Sequence, residues 1–420
     1  MFKLIARGVL LAVVFLTAHT LFATDGYFVT GFGTKQQGKG GAGVAAPADA
    51  LAPAINPAGL FAAGNRVDVG LTVFRPIRSG TIVGNVLPVG YPNVNGNYDA
   101  NRVVNFELPE FGYSRTVKPK LAVGVALYGN GGLNTSFRNP ILLLGSTRGG
   151  VDLDQFFLSP ALSYKLGKRN AVGIAANIAY QRVSVEGLQN FATSNSSSDP
   201  THVTNTGHSN SYGGGLRVGW IGELNDVVSV GATYQTRTWA TAFDRYRGLF
   251  AEDGKFDVPA NVAGGVAVHV GSRATVSADL ERIFYSSVKS IANSDANQAL
   301  LGSANGPGFG WHSINVVKTG VDVKASRDLV LRAGYNHGGA PFDASQTFFN
   351  LLAPAVTKDH LHFGATWKFA SNKEVSFAYV HAFANTMNGS GSIPSSAGGG
   401  NANLTMYQNS FQIGLGWIRK

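Results

Sequence analysis

The chain has 420 residues, 44% of them hydrophobic, with 54 glycines, no cysteine and a formal net charge of +10. The absence of cysteine excludes an exported domain stapled by disulfides, and the lack of any dense run of lysine and arginine argues against nucleic acid as a partner. Attraction of loops to anionic lipid head groups accounts better for the basic excess.

Residues 1–23 have the pattern of a secretory signal peptide. Lys3 and Arg7 precede an apolar run over residues 8–16, and Ala23 is the expected last residue removed. An uncleaved anchor helix is the alternative, but no stop-transfer pattern follows the run. No later stretch reaches the roughly 18 consecutive apolar residues that a spanning helix needs. The chain is therefore expected to be exported and to bury its apolar residues without a membrane-spanning helix.

Residues 24–64 differ from the rest of the chain. They are rich in glycine and alanine, contain Pro47, Pro53 and Pro57, and lack the alternation that follows. We interpret them as a hatch that folds inside a barrel formed by residues 65–420. Pro57 removes a backbone donor and holds the residue before it in extended geometry, which suits a sharp bend just before the first strand.

Two local patterns resemble ligand sites but have simpler explanations. Residues 33–40 nearly match a phosphate-binding loop, yet Gly40 replaces the final Ser or Thr and no buried strand precedes the motif. His360 and His362 lie on one strand face, which would suit a metal, but no third ligand is visible nearby. We interpret these glycines as packing turns and both histidines as lumen-facing polar residues, and expect no metal and no cofactor.

From residue 65 onward the dominant period of the sequence is two. Val67, Val69 and Leu71 alternate with Asp68 and Gly70, and the same pattern recurs as far as the closing strand near residues 411–417. Such alternation places apolar groups on one face of a strand and small or polar groups on the other. The region is read as about 14 strands, an even number as in transmembrane barrels.

Tight polar turns alternate with long linkers in this region. The long linkers are residues 187–209, 244–257, 286–311, 338–356 and 387–404. Short turns on one rim and long loops on the other are typical of outer-membrane barrels. A soluble sandwich shares the alternation but leaves the charged inner faces of so many strands unexplained. The predicted fold is therefore all-β, a transmembrane antiparallel β-barrel with an N-terminal hatch in its lumen.

Basic residues on these strands are candidates for binding an anionic ligand head. By parity the residues that face the lumen are Arg217, Arg237, Lys318, Lys324 and Arg332. Of these, Arg237, Lys318 and Arg332 are taken as candidate substrate-binding residues. The alternative is that they pair with lumen carboxylates and brace the hatch, the candidate partners being Asp279, Glu281 and Asp322.

Four stretches of the chain can be compared with known families: GFGTKQQGKGGAGVAAPADALAPAINPAGL near the start, FDVPANVAGGVAVHVGSRATVSADLERIFYSS in the middle, and LRAGYNHGGAPFD followed by DHLHFGATWKF. In these stretches the chain resembles the FadL/TodX family of outer-membrane transporters for hydrophobic compounds. The resemblance implies a 14-stranded barrel and a hatch that ends in a gating motif. The residues implied for that gate are Asn56, Pro57 and Ala58.

The resemblance also implies a route for the substrate. Apolar molecules are caught by extracellular loops and pass to an apolar pocket beside the first hatch residues. They then leave sideways into the bilayer near a kinked third strand, here Leu121 to Tyr128, with irregular backbone at residues 129–132. The residues implied for the pocket are Gly26, Tyr27 and Phe28.

The expected function is passive uptake of hydrophobic molecules, either long-chain fatty acids or hydrocarbons, across the outer membrane of a Gram-negative bacterium. The chain lacks a G-x-S-x-G nucleophile motif, and no enzymatic activity is expected. The expected partners are hydrophobic small molecules, outer-membrane lipids and lipopolysaccharide, and the expected state is a monomer. The alternative function is a porin for small polar solutes, against which the hatch argues.

Overall fold

The computed structural model of the chain describes residues 25–419, so the expected signal peptide at residues 1–23 lies outside the described residues. In this part of the chain, sixteen strands form one antiparallel sheet. They are β1 (Arg66–Val83), β2 (Gly96–Asp99), β3 (Phe106–Lys118), β4 (Leu121–Pro140), β5 (Arg148–Lys165), β6 (Asn170–Glu186), β7 (Ser209–Glu223), β8 (Val228–Gln235), β9 (Trp239–Ala240), β10 (Asn261–Val270), β11 (Ala274–Ile283), β12 (Ile314–Lys324), β13 (Leu329–Gly338), β14 (Asp359–Ala370), β15 (Lys373–Met387) and β16 (Asn401–Ile418).

Fourteen of these strands close into a barrel. Each pairs with its neighbour along the chain, and β1 pairs with β16 from Arg66 opposite Ile418 to Val83 opposite Asn401. The short strands β2 and β9 are additions at the ends of β1 and β7. Closure pairs the first strand of the sheet with the last, which is what a β-structure needs to cross hydrocarbon. The prediction of a barrel of about 14 strands is confirmed.

The connections at the two rims differ in length, as the sequence predicted. On one rim the links are short, such as residues 119–120, 166–169 and 271–273. On the other rim, long loops connect the strands, and residues 284–313 and 339–358 are two of them. In barrels of this kind the long loops lie on the extracellular side and the short turns on the periplasmic side.

The two faces of each strand have opposite character. On β5, Leu158 and Leu162 are exposed on the outer surface, whereas Ser159 and Ser163 are buried on the inner face. On β16, Phe411 is exposed on the outer surface in the same way. Apolar residues therefore form the outer band of the barrel, whereas the inner face carries polar and small residues together with buried apolar ones such as Leu153 and Phe157 on β5.

Residues 25–64, here called the N-terminal segment, lie inside the barrel. Almost all of these residues are buried, and they form short helical turns at Thr34–Gln37, Ala52–Ile55, Pro57–Gly59 and Leu60–Ala63. The remaining short helices lie in the loops: Gln189–Phe191, Pro200–His202, Asp244–Tyr246, Ala251–Gly254, Tyr285–Ser287, Lys289–Ala292, Ala344–Gln346, Phe349–Leu351 and Ser395–Ala397. Within residues 25–419, no helix has the length and apolar content of a membrane span.

Glycines on the inner face of the wall allow the N-terminal segment to pack closely. A Cβ atom on Gly173 would lie 2.3 Å from the backbone of Pro57 and Ala58, and one on Gly334 would lie 2.2 Å from the backbone of Gly40. Other wall glycines that touch the segment in this way are Gly112, Gly131, Gly219, Gly231, Gly320 and Gly364. A side chain at these positions would force the segment away from the wall.

Ion pairs attach the segment to the wall at several heights. The Lys35 ammonium lies 2.5 Å from Glu374 on β15, and the Lys39 ammonium lies 3.1 Å from Asp322 on β12. The Asp279 carboxylate on β11 accepts hydrogen bonds from the backbone N–H groups of Gly43 (2.7 Å) and Val44 (3.0 Å). Because these groups are largely buried, removing one partner would leave an uncompensated charge in the lumen.

Candidate functional site

The barrel wall has a gap between β3 and β4, which we call the window. The two strands are paired from Lys118 opposite Leu121 up to Phe111 opposite Leu127, and above this point β3 pairs only with β1 and β4 only with β5. Pairing resumes at the extracellular end, where Asn101 bridges to Ser136. The window is therefore bounded by residues 102–110 on one edge and 128–135 on the other.

The strand that borders the window is irregular at its glycines. The register between β4 and β5 shifts between Gly129 and Gly131, so the backbone of β4 is displaced at this point. The β4 strand is the third strand of the barrel, and it continues to Pro140, well beyond the Leu121 to Tyr128 span that the sequence suggested. A bulge of this kind bends a strand and stops its pairing with a neighbour.

The start of the N-terminal segment fills the window from the inside. Phe28 forms an antiparallel bridge to Gly131, the Gly132 N–H donates to the Tyr27 carbonyl (3.1 Å), and the Val29 N–H donates to the Asn130 carbonyl (3.4 Å). A Cβ atom on Gly131 would lie 2.0 Å from the Tyr27 carbonyl oxygen. The absence of a side chain at Gly131 therefore permits this contact.

A cavity of about 140 Å³, here called the main cavity, lies directly behind the window. It touches both window edges through Phe106, Leu108 and Gly129, and it touches the N-terminal segment through Gly26, Tyr27, Phe28 and Val29. Further apolar lining comes from Phe74, Leu133, Leu153, Pro354, Val380 and Met406. A concave, mostly apolar cavity with a few polar groups is the usual form of a small-molecule site.

The resemblance placed Gly26, Tyr27 and Phe28 at an apolar pocket, and all three line the main cavity. Tyr27 stacks on Phe28 with ring centroids 5.3 Å apart, and both rings contact Tyr285 from the loop after β11. The Tyr285 hydroxyl accepts from the Tyr27 N–H (3.2 Å) and donates to the Asp25 carbonyl. These contacts hold the start of the segment against the cavity.

The carboxyl group of Asp25 is fully buried beside this aromatic cluster. Burial raises its pKa to about 6, although the Lys318 ammonium 3.2 Å away opposes the rise. The Asn336 amide also approaches the same carboxylate. Desolvation of the charged form therefore outweighs the attraction of the cation at this position.

Asn56 is fully buried at the end of the N-terminal segment. Its side-chain amide donates to the carbonyls of Val44 (2.8 Å) and Trp220 (3.0 Å), and its side-chain oxygen accepts from the Ala58 N–H (3.1 Å). The Ala58 carbonyl in turn accepts from the Ser163 hydroxyl at 3.1 Å. The Asn56-Pro57-Ala58 turn is thus bonded to the rest of the segment and to the wall at the same time.

The three basic residues proposed from the sequence are each bound by carboxylates. Lys318 lies between Asp25 (3.2 Å) and Glu281 (2.8 Å). Arg332 is paired with Asp322, and Arg237, which lies between β8 and β9, is paired with Asp257. These contacts favour the bracing interpretation over ligand binding, and a ligand-binding role for the three stays a prediction.

The two histidines face the lumen, as the alternation of β14 indicated. His360 and His362 are buried, with ring centroids 6.2 Å apart, and His360 lines the main cavity. His360 is therefore one of the polar side chains in the lining of the main cavity.

Arg78, Phe106 and Leu108 also line the main cavity, and the sequence analysis did not single them out. A signal for Arg78 was present, because continuing the alternation of β1 past Thr72 and Phe74 places Arg78 on the inner face. The same rule places Phe106 and Leu108 on the inner face of β3 with Gly112 and Ser114, but no pattern indicated that they border a gap in the wall.

The closed barrel, its apolar outer band, its unequal rims and its internal apolar cavity together define an outer-membrane transporter. Over residues 15–415 the chain matches the profile of a family described as outer membrane protein transport protein (OMPP1/FadL/TodX). The chain belongs to this family. The protein is accordingly a transport protein of the bacterial outer membrane and not an enzyme, as the sequence analysis expected.

Solved structures of similar fold support the same architecture. The Pseudomonas putida toluene transporter TodX is 18% identical, with 93% of this chain and 99% of that chain covered and a TM-score of 0.67. A FadL homologue from Pseudomonas aeruginosa is 16% identical, with the same coverage and a TM-score of 0.71. The Ralstonia pickettii toluene transporter TbuX is 17% identical, again with the same coverage, and has a TM-score of 0.64. No curated protein matches the chain significantly.

Proposed function

We propose that this protein takes up hydrophobic small molecules passively and releases them sideways into the membrane through the window. The observation that carries the proposal is the position of the main cavity, which is mostly apolar and touches both window edges. Transfer of an apolar molecule from water to such a cavity and then to hydrocarbon is favourable by roughly 25 cal/mol per Å² of apolar surface. A gradient directed inward then suffices as the driving force.

Capture is assigned to the extracellular loops. A second cavity of about 40 Å³ lies among them, and its lining is almost wholly apolar. Its residues include Leu188, Phe191, Leu249, Phe309 and Phe349, which come from four different loops. Leu352 lines this cavity and is followed directly by Ala353 and Pro354 of the main cavity, so a ligand caught by the loops is already next to the inner site.

The N-terminal segment is proposed to act as the hatch, with Asn56, Pro57 and Ala58 as its gate. Its contacts with strands around the whole barrel leave the lumen filled, and its first residues form one wall of the main cavity. Because the main cavity borders both window edges, the window is the proposed way out for the ligand. Passage through the wall also spares an oily molecule a second exposure to water.

Cross-linking the window edges tests lateral release. A Cβ atom on Gly129 would lie 3.8 Å from the Leu108 Cβ, which is the mean separation in a disulfide. The native chain has no cysteine to interfere. The Leu108→Cys/Gly129→Cys protein, reconstituted into liposomes and oxidised, is expected to lose uptake of a labelled long-chain fatty acid or hydrocarbon, because the edges can no longer separate. Reduction is expected to restore it.

A matched cross-link elsewhere controls for the disulfide itself. The Cβ positions of Ile314 and Gly339 are also 3.8 Å apart, at the extracellular end of β12 and β13 and away from the window. The oxidised Ile314→Cys/Gly339→Cys protein is expected to transport as the wild type does. Undiminished uptake by the oxidised Leu108→Cys/Gly129→Cys protein would contradict lateral release.

A porin for small polar solutes is the rival function, and liposome swelling separates the two. Because the segment occupies the lumen, the intact protein is expected to give swelling rates with small sugars no higher than those of protein-free liposomes. A known general porin serves as the positive control. Rapid swelling by the intact protein would refute the sealed lumen and with it the proposed hatch.

A further inference from the structure

Arg78 is a buried cation that faces the main cavity. It lies on the inner face of β1, near the extracellular end of the window, and only 1% of the residue is exposed. Its backbone is fixed by Asn101, whose side chain accepts from the Arg78 N–H and donates to the Arg78 carbonyl, both at 2.8 Å. The backbone of Arg78 is therefore held in place, which limits the positions that its guanidinium group can take.

The guanidinium group is held by neutral acceptors. Nη1 donates to the backbone and side-chain oxygens of Asn134, the latter at 3.1 Å, and Nη2 donates to the Val103 carbonyl at 2.6 Å. Within residues 25–419, no carboxylate forms an ion pair with Arg78 and no acceptor is found for its Nε–H. The guanidinium carbon lies 5.8 Å from the centre of the Phe106 ring at the window edge.

The carboxylates near Arg78 already have partners. Asp99 acts on Arg78 only through space, and its carboxylate is bound by Arg138 at 2.8 Å. Two carboxylates line the main cavity itself. Asp154 is paired with Arg182 at 2.7 Å, and Glu110 accepts from the Gln412 amide at 2.5 Å and from the Gly33 N–H at 3.2 Å. None of the three neutralises Arg78.

A buried charge is normally paired, because removing it from water is costly. The other buried cations of the lumen obey this rule, as Lys35, Lys39, Lys318 and Arg332 do. Arg217 is held by the Ile55 carbonyl and the Gln235 side chain, and it does not line the main cavity. Arg78 thus differs in combining a missing counter-ion with a position on the ligand cavity.

We infer that Arg78 binds the carboxylate head of the substrate and so selects amphiphilic monocarboxylates over neutral hydrocarbons. The planar guanidinium group with its unused Nε–H suits a carboxylate oxygen. The tail then lies along the apolar lining formed by Phe28, Phe74, Leu108 and Met406. The inference rests on the proposed uptake of hydrophobic molecules and adds the chemical class of the substrate to it.

Paired probes that differ only in the head group test the inference. Binding of labelled myristic acid and myristyl alcohol to the purified barrel is compared at a pH where the acid is ionised. Wild type is expected to bind the acid more tightly than the alcohol. Arg78→Met is expected to weaken acid binding by about 10- to 100-fold, because it removes a hydrogen bond between charged groups, and to leave alcohol binding unchanged. Arg78→Lys is expected to recover part of the preference.

Arg282→Met is the matched control. Arg282 is an exposed strand arginine that donates to Asn315 at 2.9 Å and lies 5.8 Å from the Phe284 ring centre, as Arg78 does from Phe106. It does not line the main cavity, so its replacement is expected to change neither affinity. An equal loss of acid and alcohol binding in Arg78→Met, or no loss, overturns the assignment.

If Arg78→Met does not insert into the membrane, results with the wild type still distinguish a failure of the Arg78 assignment from a failure of the proposed uptake. Tight binding of both probes without preference for the acid overturns the assignment of Arg78 and leaves the proposed uptake standing. Binding of neither probe overturns the proposed uptake itself. The assignment is supported when wild type binds myristic acid more tightly than myristyl alcohol but binds methyl myristate no more tightly than the alcohol.

Discussion

Replacing Asn56 with alanine is expected to abolish uptake of hydrophobic ligands while the barrel still inserts into the membrane. The change removes the donor for the Val44 and Trp220 carbonyls and the acceptor for the Ala58 N–H. Each buried group left without its partner costs about 1–3 kcal/mol. The turn then loses its side-chain hydrogen bonds to the wall and keeps the one from the Ser163 hydroxyl to the Ala58 carbonyl. We expect the N-terminal segment to shift and to change the lining of the main cavity.

The assay combines transport with a test of insertion. Uptake of a labelled long-chain fatty acid by reconstituted liposomes is measured beside the heat-dependent shift of the folded barrel on a gel. Asn56→Asp is expected to be at least as harmful as Asn56→Ala, because it places a buried anion against two carbonyls. Asn210→Ala is the control, since Asn210 lies on the outer surface and accepts one hydrogen bond from Tyr180 (2.9 Å). Normal uptake by Asn56→Ala would show that the Asn56-Pro57-Ala58 motif is not the proposed gate.

Replacing Glu374 with glutamine is expected to cause the largest loss of stability. Glu374 on β15 binds the ammonium of Lys35 from the N-terminal segment and the guanidinium of Arg66 at the start of β1. All three side chains are less than 10% exposed, with values of 6%, 9% and 6% in the order just given. Arg66 keeps Asp68 after the change, whereas Lys35 keeps only the Ala48 carbonyl at 3.4 Å. Removing one partner of a buried pair costs about 3–5 kcal/mol.

Chaotrope-induced unfolding of the barrel in detergent measures this loss. The matched control is Asp226→Asn, which breaks the pair with Arg169 on the periplasmic rim. The side chains of that pair are 49% and 94% exposed, so its loss is expected to cost about 1 kcal/mol or less. The Glu374 interpretation fails when both variants unfold at the same chaotrope concentration.

The barrel architecture could be predicted from the sequence because it depends on patterns within single strands. Alternation along one strand assigns each residue to the outer or inner face, and a shift of one residue would expose every polar group to lipid. Ser159 and Leu158 illustrate this, since adjacent residues lie on opposite faces as predicted. The inward direction of Lys318 and Arg332 followed from the same rule, and so did that of His360.

The roles of the inward residues were not accessible in this way. Parity places Arg78, Lys318 and Arg332 on the inner face, but their functions depend on which of them meets an anion. Lys318 finds Asp25, which is nearly 300 positions away in the chain, whereas Arg78 finds only neutral acceptors. The closure of the barrel brings residues so distant in the chain together, and no local sequence pattern indicates which of them will meet.

The sequence by itself determined the barrel, its two rims and the family, because hydrophobic period, turn chemistry and family motifs are properties of short stretches. Only the tertiary structure decided where the wall opens. The window depends on β3 and β4 losing their pairing above Leu127 and on Tyr27 and Phe28 packing against Gly131 in the gap. The contacts of Tyr27 and Phe28 with Gly131 join segments about 100 residues apart. The main cavity therefore forms only when the N-terminal segment lies in the closed barrel, and only then does Arg78 line a ligand cavity without a carboxylate partner.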